Sequence, residues 1–167
     1  MRVGIALGSN LGDRVAHLRS AAAAVRALGA APILTSRIYE TTPVDCPPGS
    51  PAFLNAAMEI GYSGDLRDLI RDLQAVERAH QRPADHGRNA PRTVDLDILY
   101  ADELILETPE LTLPHPRLME RMFVLRPLCD FAPDRRLPGE NETFAARLAS
   151  LARLSPQSIS IADATLS

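Results

Sequence analysis

An α+β fold is predicted by three observations. Short apolar segments alternate with period two, two longer segments carry apolar residues at helical spacing, and Gly- and Pro-rich turns separate them. Strand-like and helix-like stretches interleave over the first hundred residues, and only short elements follow.

Val3 to Leu7 sets Val3, Ile5 and Leu7 on one face against Gly4 and Ala6 on the other, continued by Gly8. Such a strand packs its large face and leaves the small one for tight packing or for a flat ligand. Gly8-Ser9-Asn10-Leu11-Gly12 is a turn, and Asp13 is placed to cap the helix that follows. Val15, Leu18, Ala22, Val25 and Leu28 form that helix's apolar stripe, which stops at Gly29. Ile33 to Thr41, rich in β-branched residues and Tyr, reads as a second strand. Four prolines and a glycine between Thr42 and Pro51 make a long loop of the kind that usually serves function. Phe53 to Ile60 is a third strand, with Leu54, Ala56, Met58 and Ile60 opposite Phe53 and Asn55. Asp65 caps a helix reaching about His80, buried along Leu66, Leu69, Ile70, Leu73 and Val76. Gln74 and Glu77, three apart, are neighbours on its surface. A second long loop, Gln81 to Pro91, leads to a fourth strand. The order β-α-β-β-α-β is the ferredoxin-like one, with both helices on one face of an antiparallel sheet. Leu104 to Leu128 then supplies appended short elements, and Phe144 to Leu154 a closing helix. Ser155 to Ser167 is polar and expected to fray, so that a single domain over 1–155 precedes a flexible tail over 156–167.

The fourth strand carries the chemistry. In Thr93-Val94-Asp95-Leu96-Asp97-Ile98, the two carboxylates share one face. At i and i+2 their backbones stand roughly 7 Å apart, close enough to hold one small hard cation or two between them. Arg92 just upstream adds fixed positive charge, and the combination suits a phosphate-bearing substrate. A solvated Asp-Leu-Asp is the alternative. The face opposite the helices would gather Gly4, Ala6, Phe53, Asn55, Asp95 and Asp97, with both long loops placed to cover it.

Composition narrows the classes. With 46% hydrophobic and 23% charged residues the chain is an ordinary globular one, and a net charge of −3 argues against bulk nucleic-acid binding. All 18 basic residues are Arg, which excludes a lysine-dependent phosphate loop. Cys46 and Cys129 have no metal-type spacing, and no apolar run approaches a membrane span. A cytoplasmic protein is expected. An RNA-binding sheet would need exposed aromatics and a basic face, whereas aromatics make up 4% of this chain and its open face is acidic.

Five segments then resemble, in order and spacing, the 6-hydroxymethyl-7,8-dihydropterin pyrophosphokinase family of folate biosynthesis. They are Ile5 to Arg14, Tyr39 to Pro43 with Phe53 to Ala56, Ala90 to Leu99, Pro114 to Arg117, and Arg121 to Leu125. The resemblance implies transfer of the β,γ-pyrophosphoryl group of ATP to the pterin hydroxymethyl oxygen, with release of AMP, by a monomer. It implies two Mg²⁺ ions on Asp95 and Asp97, and Arg82 and Arg92 as clamps on the transferring phosphates. ATP would meet Ile70, Gln74, Glu77, Arg82, Arg92, Ile98, Thr112, His115 and Arg121. The pterin would meet Thr42, Pro43, Val44 and Asn55, stacked between Phe53 and Phe123. The chain departs from the family in its second loop. Ala84 stands where a second Arg is common and Asn89 where a Trp is common, with Arg88 a neighbouring replacement for the lost charge. An inactive relative that keeps the pterin site is therefore a second reading. If Arg82 acts on the transferring group, Arg82→Ala lowers kcat rather than raising only KM in steady-state assays.

Overall fold

The computed structural model describes residues 1–43, 48–80, 93–155 and 157–167. Among these residues, eight strands and four α-helices follow in the order β1 (Arg2–Ser9), α1 (Arg14–Leu28), β2 (Ala30–Thr35), β3 (Tyr39–Thr41), β4 (Phe53–Gly61), α2 (Leu66–Ala79), β5 (Asp95–Ala101), β6 (Leu106–Glu107), β7 (Thr112–Leu113), α3 (Met122–Leu128), α4 (Phe144–Ala152) and β8 (Ile159–Ile161). Both expected N-caps form. The Asp13 carboxylate accepts from the Ala16 N–H at 3.0 Å, and that of Asp65 from the Arg67 N–H at 2.7 Å.

The main sheet runs β5-β1-β4-β3-β8, with β2 also on β4, and its pairings are antiparallel. The apolar faces of α1 and α2 pack on Val3, Ile5, Leu7, Met58, Ile60 and Leu96 to form the larger core cluster. The segment read as one strand from Ile33 to Thr41 is two. At the break, the Ser36 N–H donates to the Ala57 carbonyl at 2.9 Å and the Ala57 N–H donates to Ser36 Oγ at 2.8 Å. β2 and β3 thereby pair with successive halves of β4.

Helices are not confined to one face, as the sequence suggested. Residues of α3 and α4, with Leu118 of the short turn before α3, cover part of the opposite side, where Leu118, Val124, Leu125, Leu128 and Phe144 bury Ala57, Leu99 and Tyr100. Beneath them the sheet carries a bulge. One step on β1, Gly4 to Ile5, is matched by two on β5, Tyr100 to Ile98, so Leu99 is the extra residue. Tyr100 is thereby set over Gly4, where an added Cβ would stand 2.3 Å from its ring. The small-residue face of β1 therefore divides. Its Gly4 end is filled by Tyr100 and Ala6 packs beside it, so only the Gly8 end remains for a ligand.

The last residues contact the sheet and the core. β8 pairs with β3, Leu166 is buried in the larger core cluster, and Arg19 and Arg26 donate to the carbonyls of Thr165 and Leu166 at 2.9 and 3.2 Å. Ile159-Ser160-Ile161 alternates as a strand should, but three residues are too few to register as a pattern.

Candidate active site

β1 aligns the polar groups of its neighbours. Tyr39, Asn55, Gly8 and Asp95 lie in one row across β3, β4, β1 and β5, and Ala6 pairs with Asp97 in the next. A Cβ on Gly8 would fall 3.4 Å from Asn55 Oδ1 and 3.9 Å from Asp95 Cβ. The missing side chain thus leaves a methyl-sized gap between an amide and a carboxylate. Asn55 is buried, and its Nδ2 donates to Thr41 Oγ1 at 2.7 Å, which fixes the orientation of the amide.

Beside this row lies a cleft of about 390 Å³. Ile70, Gln74 and Glu77 of α2 form one wall, Asp95, Asp97 and Ile98 of β5 the floor, and Thr112, His115 and Pro116 the far side. Eight residues chosen from sequence for ATP or metal thus meet in one place. Glu77 is not a solvated helix residue but is buried, and its Oε1 accepts from the Leu96 N–H at 2.9 Å. It holds the backbone between the two aspartates. The bulge serves the site as well, because the Leu99 carbonyl accepts from the His115 N–H at 2.8 Å.

Burial, then the neighbouring Arg121 guanidinium, hold the His115 imidazole below its ordinary value, so the ring is neutral at pH 7. Its Nδ1 is 3.1 Å from the Arg117 N–H and accepts from it, which leaves the proton on Nε2. Arg121 is half-buried, and burial and Arg117 lower its guanidinium against the opposing pull of Asp97 and Asp95. Its cation therefore stands in the field of both carboxylates, 5.6 Å from the centroid of the Phe123 ring.

Among the described residues, those named for the pterin fall outside the cleft lining. Thr42 is exposed, Pro43 and Phe53 are half-buried at the ends of the first loop, and Phe123 lies in the first turn of α3, partly packed on the second core cluster. Val44, Arg82, Arg92 and the substitutions at Ala84, Arg88 and Asn89 lie outside the described residues. Sequence reasoning missed the turn Thr108-Pro109-Glu110-Leu111, which joins β6 to β7 and completes the cleft wall. Its only signal was Thr-Pro-Glu as turn chemistry, here closed by the Thr108 hydroxyl donating to the Leu111 carbonyl at 2.9 Å.

Among the described residues no cluster of three His, Cys, Asp or Glu offers a closed metal cage. Two carboxylates on an open floor fit Mg²⁺, which is held through one or two carboxylates together with water and substrate phosphates. No helix among these residues is long and apolar enough to cross a membrane.

A cleft with paired carboxylates on its floor and an imidazole and a guanidinium at its side has the form of an enzyme site for a phosphate-bearing small molecule. The chain belongs to the 7,8-dihydro-6-hydroxymethylpterin-pyrophosphokinase family, whose model matches residues 4–133. It is 43% identical over 127 residues to the 2-amino-4-hydroxy-6-hydroxymethyldihydropteridine pyrophosphokinase of Bacillus subtilis, covering 75% of each protein. With the Pseudomonas aeruginosa protein of the same name it shares 39% over 138 residues, which is 82% of this chain and 84% of that one. The fold is also that of Plasmodium falciparum HPPK-DHPS, solved with pteroate. The TM-score is 0.73 at 15% identity, over 91% of this chain and 42% of that one.

Proposed function

We propose that the protein transfers the β,γ-pyrophosphoryl group of ATP to the hydroxymethyl oxygen of 6-hydroxymethyl-7,8-dihydropterin. The products are the pterin diphosphate and AMP, and the step belongs to tetrahydrofolate biosynthesis. The observation that carries this reading for the site is the meeting of Gln74, Asp95, Asp97, Thr112 and His115 in one cleft, in a chain whose family is named for that reaction.

In this reading the sheet is the ferredoxin-like one, and the protein acts as a cytoplasmic monomer with two Mg²⁺ ions. Asp95 and Asp97 hold the metal, which when bound neutralises the triphosphate and acts as Lewis acid on it. The neutral His115 donates from Nε2, while Arg121 places a desolvated positive charge beside the phosphates, where guanidinium geometry matches phosphate oxygens. Glu77 acts through the backbone of β5, keeping the two aspartates in register. Ile70 and Ile98 give the base an apolar surface. Arg82 and Arg92 clamp the transferring group. Asn55, held by Thr41, presents both amide functions to a heterocycle edge, Thr42, Pro43 and Val44 complete that wall, and Phe53 and Phe123 cover the ring faces.

Incubation with ATP, Mg²⁺ and the hydroxymethylpterin tests this directly. Pterin-dependent release of AMP is expected. Pterin binding without AMP would leave the inactive relative as the correct reading, and the absence of both would refute the two readings together.

A further inference from the structure

The C-terminal segment lies beyond the part of the chain that the family model matches, residues 4–133, yet it is bound to a residue of the proposed pterin wall. The Thr42 N–H donates to the Ser158 carbonyl at 3.2 Å, the Ser158 N–H donates to Thr42 Oγ1 at 3.2 Å, and Gln157 Nε2 donates to the Thr42 carbonyl at 3.1 Å. The backbone N–H, the backbone carbonyl and the hydroxyl of Thr42 are therefore all held by two consecutive residues of the tail. The contact continues along the strand, for Thr41 pairs with Ile159 on one side and with Phe53 on the other. Thr41 is in turn the acceptor that fixes Asn55. Without β8, the three residues of β3 would be an edge strand ending in the loop that begins at Thr42. Short edges of this kind are the mobile parts of a sheet.

The segment is anchored independently at its far end. The Ala162 N–H donates to the Ile38 carbonyl at 2.9 Å, Arg19 and Arg26 grip the Thr165 and Leu166 carbonyls, and the Leu166 side chain is buried against the core. These contacts offset the entropy of ordering the segment, and at its near end it fixes Thr42.

We infer that residues 157–167 are a positioning strap for the pterin half of the site, with Gln157 and Ser158 setting Thr42 and, through β3, Asn55. The inference rests on the proposed pterin role of Thr42 and Asn55. It assigns the strap no part in ATP binding, because none of its residues lines the cleft.

Gln157→Ala removes one side-chain bond and touches neither the core nor the cleft. A single hydrogen bond of this kind corresponds to a change of about two- to tenfold. The KM for the hydroxymethylpterin should rise by that factor, while the KM for ATP stays unchanged and the unfolding temperature falls by no more than about 6 °C. Deletion of residues 157–167 should give a larger rise of the same selectivity, and Arg19→Ala, which loosens only the far anchor, a smaller one. Asn55→Ala is the control for the underlying assignment. If Asn55→Ala weakens pterin binding and Gln157→Ala does not, the strap inference alone is overturned. If Asn55→Ala leaves pterin binding intact, the pterin wall is misassigned and the strap falls with it. Equal losses for pterin and ATP, accompanied by a lower unfolding temperature, would mark the segment as merely structural and overturn the inference as well.

Discussion

Asp97→Asn is expected to lower kcat by about 10³-fold or more while leaving the unfolding temperature unchanged. The substitution keeps the shape of the side chain and removes one of two anionic oxygen donors on the cleft floor. Metal-assisted stabilisation of a reacting phosphate amounts to several kcal/mol, and each ~1.4 kcal/mol is a factor of ten in rate. The backbone at this point is held by β1, through the pairing of Asp97 with Ala6, and by Glu77, which accepts from the Leu96 N–H. Neither restraint uses the Asp97 carboxylate, so the fold should survive. The measurement is pterin-dependent AMP release across a Mg²⁺ titration, alongside a thermal unfolding curve. Turnover within tenfold of the parent protein would remove Asp97 from the metal assignment.

Why this pair was legible from sequence, and its surroundings less so, has a physical basis. Alternation along a strand is local, so Asp95 and Asp97 on one face could be read from five residues. The helical stripes and the caps at Asp13 and Asp65 are local too, and they formed as expected. The bulge at Leu99 is not local, because it exists only relative to the register of β1. It turns Tyr100 onto Gly4 and aims the Leu99 carbonyl at His115, so it shapes both the limit of the open face and one side of the cleft. Ser36 likewise breaks a β-rich segment through bonds to Ala57, a residue 21 positions away. The same reason hid the role of the tail. Its partners, Ile38 to Thr42, are more than a hundred residues distant in the chain. Glu77 lines the cleft, but only the resemblance had singled it out. Its bond to the backbone of β5 needed the tertiary structure.

The second large effect lies away from the cleft. Glu59 on β4 is 1% exposed, and its Oε2 accepts from the Tyr100 hydroxyl at 2.8 Å and from Arg135 at 2.7 Å. Arg2 approaches Oε1 to 3.2 Å without hydrogen-bond alignment. The Arg135 guanidinium also stacks over the Tyr100 ring, 4.5 Å from its centroid. Burial, above all, drives the Tyr100 hydroxyl far above its ordinary value, so it stays protonated and always donates. Glu59 is thus the common acceptor that joins the segment after α3 to the sheet at the bulge. Glu59→Ala would strip a mostly buried arginine and a fully buried phenol of their partner and open a void beneath the ring. Removing one member of a buried ion pair costs about 3–5 kcal/mol. In a chain of this size that corresponds to a fall of roughly 6–20 °C in Tm. Glu59→Gln, which keeps one acceptor and most of the volume, should lose less. Urea and thermal unfolding of the two variants check this ordering, and a loss below about 1 kcal/mol for Glu59→Ala would contradict the network. Because the cluster sits at the Gly4 end of β1 and the proposed ligand gap at the Gly8 end, the folded fraction of Glu59→Ala should retain the parent KM for both substrates. A selective loss of pterin or ATP affinity would mean that the two ends of β1 are coupled.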